Sequence, residues 1–260
     1  MRLVQMIVPY QNRHSSTSRK WVAIMTHSAS HKTCPSILLV GASRGLGLAM
    51  AEEFAKREWT VVATVRGSDR TKLHELAEHA HRIEIETLDI TQPNQITALH
   101  DRMSHRTFDI LFVNAGTANM KDETVADIPA DEFARVLITN ALSPMRVIEG
   151  LQGLVRNDGL IGVMSSGQGS ISDNTNGRHE VYRSSKSALN QLMRSYAARH
   201  ADDKRALVLI APGWIRTDLG GPKAPFSVEE SIPQIVDVVI TQQGKPGLEY
   251  LDRTGNTVRW

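Results

Sequence analysis

Ser36-Ile37-Leu38-Leu39-Val40-Gly41-Ala42-Ser43-Arg44-Gly45-Leu46-Gly47 is the stretch that decides the fold. Its apolar run, rich in branched side chains, has the composition of a strand buried on both faces. The run breaks at Gly41 and passes into the alanine-rich stretch from Leu48 to Arg57, where Leu46, Met50 and Phe54 have helical spacing. The glycines therefore sit at a strand-to-helix turn. The start of a helix offers free N–H groups and partial positive charge to a phosphate. Glycine lets the backbone turn tightly and lets a pyrophosphate approach without a Cβ in the way. The spacing is G-x-x-x-G-x-G rather than G-x-G-x-x-G, and in this setting it predicts a dinucleotide site that includes Gly41, Ser43, Arg44, Gly45, Leu46 and Gly47.

Outward from this turn, strand-like and helix-like runs alternate. Strands are predicted at 37–40, 60–65, 83–87, 110–113, 160–164, 206–210 and 248–251. Helices are predicted at 45–57, 70–80, 93–104, 130–156, 181–200 and 228–242. That alternation implies an α/β fold, a doubly wound parallel sheet of Rossmann-like form, with no second domain after residue 33. A length of 260 residues and an apolar share of 41% suit one such domain at 34–260. The net charge of +2 gives no global field that would favour nucleic acid. No apolar run reaches the ~20 residues of a membrane span. One cysteine, Cys34, excludes an internal disulfide and fits a reducing, cytoplasmic setting. The histidines show no metal-ligand spacing, so no metal site is predicted. Residues 1–33 carry five Lys or Arg and no Asp or Glu. They read as a disordered or non-native leader, either a disordered extension or an upstream start before a functional start at Met25, with a transit peptide as the competing reading.

Tyr182 and Lys186 stand four residues apart in a predicted helix, so phenol and ammonium share a face. A phenol titrates near pH ~10 and is a poor proton donor at neutral pH. A fixed neighbouring cation is expected to lower that value and make the pair a proton-transfer device. The same spacing also arises by chance on helix surfaces, and the weight comes from the motifs around it. In order, these are the glycine turn, Asp89-Ile90, Asn114-Ala115-Gly116, Asn140 in a helix, Ser165-Ser166 after a strand, Tyr182 with Lys186, and Pro212-Gly213 after another strand. In this order they resemble the short-chain dehydrogenase/reductase family, in its compact branch. The stretches 164–174 and 252–260 are similar to the C-factor and sniffer carbonyl reductase group.

The resemblance implies a catalytic set of Asn140, Ser166, Tyr182 and Lys186, with Ser165 left open as the alternative to Ser166. In it Tyr182 moves the proton, Ser166 steadies the carbonyl oxygen, Lys186 also holds the nicotinamide ribose, and Asn140 keeps a water beside Lys186. Asp89 and Ile90 would lie at the adenine, Asn114, Ala115 and Gly116 at the ribose, and Pro212, Gly213 and Thr217 at the nicotinamide amide. Trp214 reads equally as packing. The end of the second strand has no acid to bind ribose hydroxyls and instead ends in Arg66. With Arg44 nearby, the charge favours NADP(H) over NAD(H). The expected activity is carbonyl reduction, or the reverse oxidation of an alcohol, on a small molecule. The expected assembly is a homo-oligomer. A nucleotide-binding signalling protein of the C-factor kind, with little or no turnover, is the alternative. The substrate pocket is expected around 117–120, 168–178 and 214–226, where the glycine- and proline-bearing piece 217–226 reads as a loop at the mouth.

Overall fold

In β1 (Ser36–Val40), Leu38 and Val40 enter one core while Ile37 and Leu39 enter the other, as a side-chain period of two requires. The computed structural model of the chain describes residues 34–119 and 124–260. The leader expected at 1–33 and Met120 of the expected pocket lie outside the described residues. The further strands are β2 (Thr60–Val65), β3 (Ile83–Thr87), β4 (Phe108–Val113), β5 (Val155–Met164), β6 (Ala206–Ala211) and β7 (Gly247–Asp252). They form a seven-stranded sheet in the order β3-β2-β1-β4-β5-β6-β7, with every pairing parallel. The helices α1 (Gly45–Lys56), α2 (Lys72–His79) and α7 (Val228–Gln242) cover one face. On the other face lie α3 (Pro93–Met103), α5 (Ser143–Leu151) and α6 (Glu180–Arg199). This is the doubly wound sheet expected. Its strand order reverses between β1 and β4, which opens a crevice beyond their carboxyl ends.

One element differs. The helix expected over 130–156 is α4 (Ala130–Leu137), a π turn at Ile138–Leu142, then α5, then a 3-10 turn at Gln152–Leu154. Val155 already pairs with Phe108 in the sheet, and the Arg156 guanidinium bridges Asp109 and Asp158. Apolar spacing ran on through this region and concealed both the extra residue per turn and the early start of β5. A smaller difference concerns α2, which begins at Lys72 because Thr71 caps it in a reciprocal pair with His74.

Candidate active site

The glycine turn is built against the end of β4. The Asn114 and Ala115 amides both donate to the Val40 carbonyl, at 2.9 and 3.0 Å, and Asn114 Nδ2 donates to the Gly41 carbonyl at 2.7 Å. Gly41 has φ +90°, and a Cβ there would lie 2.7 Å from Ala115 Cα. A Cβ on Gly47 would lie 2.1 Å from the Gly41 carbonyl oxygen and 2.6 Å from Asn114 Nδ2. Chain passes this closely only without side chains. Arg44, extended, precedes α1, whose first turn has neither a capping side chain nor an acidic residue. Its amides are thus left to an anion.

Beside this turn opens a cleft of about 560 Å³ whose lining includes Arg44, Arg70, Lys72 and Arg216 against Glu75 and Asp218. An excess of cations beside a bare helix start suits a phosphate-rich cofactor. Arg44 Nη1 currently lies 3.4 Å from Asp218 Oδ2. Arg66 is exposed just past β2. Asp89 is turned into its own loop, where Oδ1 accepts from the Thr91 amide at 2.9 Å and hydroxyl at 2.7 Å, while Ile90 is buried. After β6, Gly213 turns the chain at φ +85°, and Thr217 Oγ1 accepts from the Gly220 amide at 3.0 Å. The exposed Trp214 ring donates to the Gly220 carbonyl at 2.7 Å, so this loop is wound upon itself.

The second half of the site lies at the ends of β4 and β5 and along α6. Asn140 is wholly buried in the π turn, a feature frequent at functional positions. Its Oδ1 accepts from the Thr117 amide at 2.8 Å, and its Nδ2 donates to the Thr117 carbonyl at 2.8 Å and Ser185 Oγ at 2.9 Å. Lys186 is also buried, and its Nζ donates to the Met164 carbonyl at 2.9 Å. A Cβ on Gly116 would lie 3.3 Å from Asn140 Oδ1 and 3.5 Å from Lys186 Nζ, so Gly116 leaves room beside both.

Ser165 and Ser166 part company at the end of β5. Ser165 is buried and donates to Asn190 Oδ1 at 2.6 Å. Ser166 Oγ accepts from the Gln168 amide at 3.1 Å and faces the Tyr182 phenol. With a lone pair taken by Gln168, its O–H is free to donate.

The electrostatics correct one expectation. Burial pushes the Tyr182 phenol up to about 12, opposed by the neighbouring Ser166 hydroxyl. Lys186 Nζ lies 5.8 Å from the Tyr182 ring centre and is itself brought down to about 8 by burial. In this arrangement desolvation outweighs any acidification of Tyr182 by its neighbour. The site thus brings together Asn140, Ser166, Tyr182, Lys186 and the Gly116 opening. Sequence reasoning missed Ser185 and Asn190, and it placed Thr117 in the substrate pocket without its bonds to Asn140; an asparagine at helical spacing gives no sign of which loop it will bond.

A family model of the short-chain dehydrogenase/reductase type, described as Enoyl-(Acyl carrier protein) reductase, matches residues 41–234. The chain belongs to the short-chain dehydrogenase/reductase family. Within this oxidoreductase family it is 63% identical to a Burkholderia multivorans chain assigned to the short-chain dehydrogenases/reductases and crystallised with NADP, with a TM-score of 0.86 over 87% of this chain and 100% of that one. It is 35% identical to a carbonyl reductase from Pseudomonas aeruginosa PAO1 in complex with NADP, with a TM-score of 0.81 over 88% of this chain and 100% of that one. C-signal from Myxococcus xanthus is 31% identical over 154 residues, which span 58% of this chain and 92% of that protein. The family and the subgroup are those the motifs suggested.

Proposed function

We propose that this short-chain dehydrogenase/reductase is an NADP(H)-dependent carbonyl reductase. The observation that carries the reading is the cluster of Ser166, Tyr182, Lys186 and Asn140 beside the Gly116 opening. The likeness to two NADP-bound structures, one of them a carbonyl reductase, supports the cofactor and the reaction. So do the cationic lining of the cleft and the uncapped start of α1. Gly41, Ser43, Gly45, Leu46 and Gly47 would hold the pyrophosphate; Arg44 and Arg66 would hold the extra phosphate. Asn114, Ala115, Gly116, Pro212, Gly213 and Thr217 would line the path to the nicotinamide, with Asp89 and Ile90 at the adenine end.

Bound NADPH supplies the hydride. The Tyr182 hydroxyl gives its proton to the substrate carbonyl oxygen as negative charge gathers there. A phenol held near 12 stays protonated at neutral pH and is ready as the acid. Ser166 Oγ–H hydrogen-bonds the same oxygen, its direction set by the Gln168 amide. Lys186, anchored on the Met164 carbonyl, offsets the phenolate charge left on Tyr182. Asn140 fixes the Thr117 backbone and Ser185, and so holds the β4 loop against α6.

The test is Tyr182→Phe, which keeps the ring and removes the proton. Carbonyl reduction is expected to fall by about 10²–10⁴-fold, the scale of general acid catalysis; near-wild-type turnover ends the proposal. NADPH oxidation across a panel of aldehydes and ketones separates turnover from nucleotide binding without turnover. The same reading takes the enzyme as cytoplasmic and homo-oligomeric. Exposed Ile138 and Leu142 on the π turn and Leu192 on α6 support the assembly. Among the described residues no helix is long and apolar enough to cross a membrane.

A further inference from the structure

Tyr250 lies on β7, opposite Leu209 of β6, and is buried in the core under α6. A tyrosine there has the packing duty of a phenylalanine plus one polar atom, and a buried hydroxyl demands a partner. The partner is the backbone of Ser166: the Tyr250 hydroxyl donates to the Ser166 carbonyl. The Gly169 amide donates to that same carbonyl at 2.8 Å, closing the 3-10 turn Gly167–Gly169. Asn190 and Ser165 lie beside the Tyr250 phenol and hold its pKa down against the effect of burial. Ser165 Oγ donates to Asn190 Oδ1 at 2.6 Å, and Asn190 Nδ2 donates to the Gly169 carbonyl at 3.3 Å.

Asn190 stands one helical turn beyond Lys186 on α6, the helix that also carries Tyr182. The network therefore ties three elements, the end of β5, α6 and β7, at the residue whose hydroxyl meets the Tyr182 phenol. A strand end with a free carbonyl can pivot; one clamped from two sides cannot. Side-chain placement to a fraction of an ångström is what a shared hydrogen bond to a reacting oxygen requires.

We infer that Tyr250 is a positioning residue for the reaction: through the Ser166 carbonyl, backed by Asn190 and Ser165, it fixes the Ser166 hydroxyl relative to Tyr182. The inference rests on the carbonyl reductase reading, because Ser166 must act on the substrate for its placement to matter. Tyr250 touches no reacting atom.

The experiment is a double-mutant cycle of Tyr250→Phe and Ser166→Ala, with kcat and KM for a reducible aldehyde, NADPH affinity by fluorescence, and the melting temperature of each variant. Tyr250→Phe keeps the ring that packs against Trp260 at 5.3 Å between centres. It is expected to lower kcat about tenfold, leaving KM and NADPH affinity within about twofold. In the Ser166→Ala background the same change is expected to alter kcat by less than about twofold, because the hydroxyl it aims is gone. A residue that only stabilises the fold would lower the melting temperature and act equally in both backgrounds. Equal factors in the two backgrounds, or wild-type kcat in Tyr250→Phe, overturn the inference and leave the carbonyl reductase reading intact. Wild-type kcat in Ser166→Ala overturns the role of Ser166 in that reading and the inference with it.

Discussion

Tyr182 and Lys186 share a helix face as their spacing required, yet their burial reverses the simplest electrostatic argument. Burial moves the phenol up and the ammonium down. The lysine has a consequence for stability. Its value when folded, about 8, is below its ordinary 10.5, so between these limits the unfolded chain binds more protons. Stability attributable to Lys186 therefore rises with pH across about 8 to 10. Below about 8 both states are protonated and the contribution is flat. Tyr182 acts above this window and with opposite sign, because its folded value exceeds its ordinary 10.0. Urea unfolding of the coenzyme-free protein should show a slope steeper than that of Lys186→Met by up to about 1.4 kcal/mol per pH unit. A variant that rises as steeply as wild type would show that Lys186 is not desolvated. Arg44 presents a second case. Asp218 holds its guanidinium in an exposed pair at 3.4 Å. Asp218→Asn should release it and lower the NADPH dissociation constant about two- to fivefold, the scale of an exposed ion pair. Unchanged or weaker NADPH binding counts against Arg44 as a phosphate ligand. Both cations were visible as letters; the carboxylate 174 positions later that engages Arg44 was not.

At the scale of elements, the strand–turn–helix at the start of the domain was legible because its determinants are local. A branched apolar run, a glycine at the break and an alanine-rich helix need no distant partner to be recognised. Why Gly47 must be glycine is not local, since its missing Cβ makes way for the Gly41 carbonyl and the Asn114 side chain. Gly47→Ala should cost about 1–3 kcal/mol by overpacking and weaken NADPH binding by about tenfold or more. Gly153→Ala, where an added Cβ meets nothing within 4 Å, is the control. Wild-type NADPH affinity in Gly47→Ala would argue that the turn does not hold the pyrophosphate. The helix over 130–156 was misread for a related reason. A π turn keeps the apolar spacing nearly intact. What selects it is the bonding of Asn140 to Thr117 and Ser185, which lie 23 and 45 residues away.

For the molecule as a whole, two apolar cores flank one parallel sheet, and the crevice between β1 and β4 gathers the glycine turn, the β4 loop and the face of α6. A ligand seated there should stabilise the native state as a unit. At about 100 times its dissociation constant the gain is about 2.7 kcal/mol, or about 5–10 °C in melting temperature for a chain of this size. NADPH should give the larger shift than NADH at equal concentration. The reverse order in a thermal scan would overturn the preference inferred from Arg44 and Arg66. The sequence by itself determined the alternating elements, the doubly wound sheet, the family and the residue types of the site, because hydrophobic period and turn chemistry act over a few neighbouring residues. Only the tertiary structure decided which of two adjacent serines meets the phenol, that burial outweighs the lysine, and that a β7 tyrosine clamps the β5 end. Each of these depends on desolvation and on contacts between segments far apart in the chain, which no local pattern encodes.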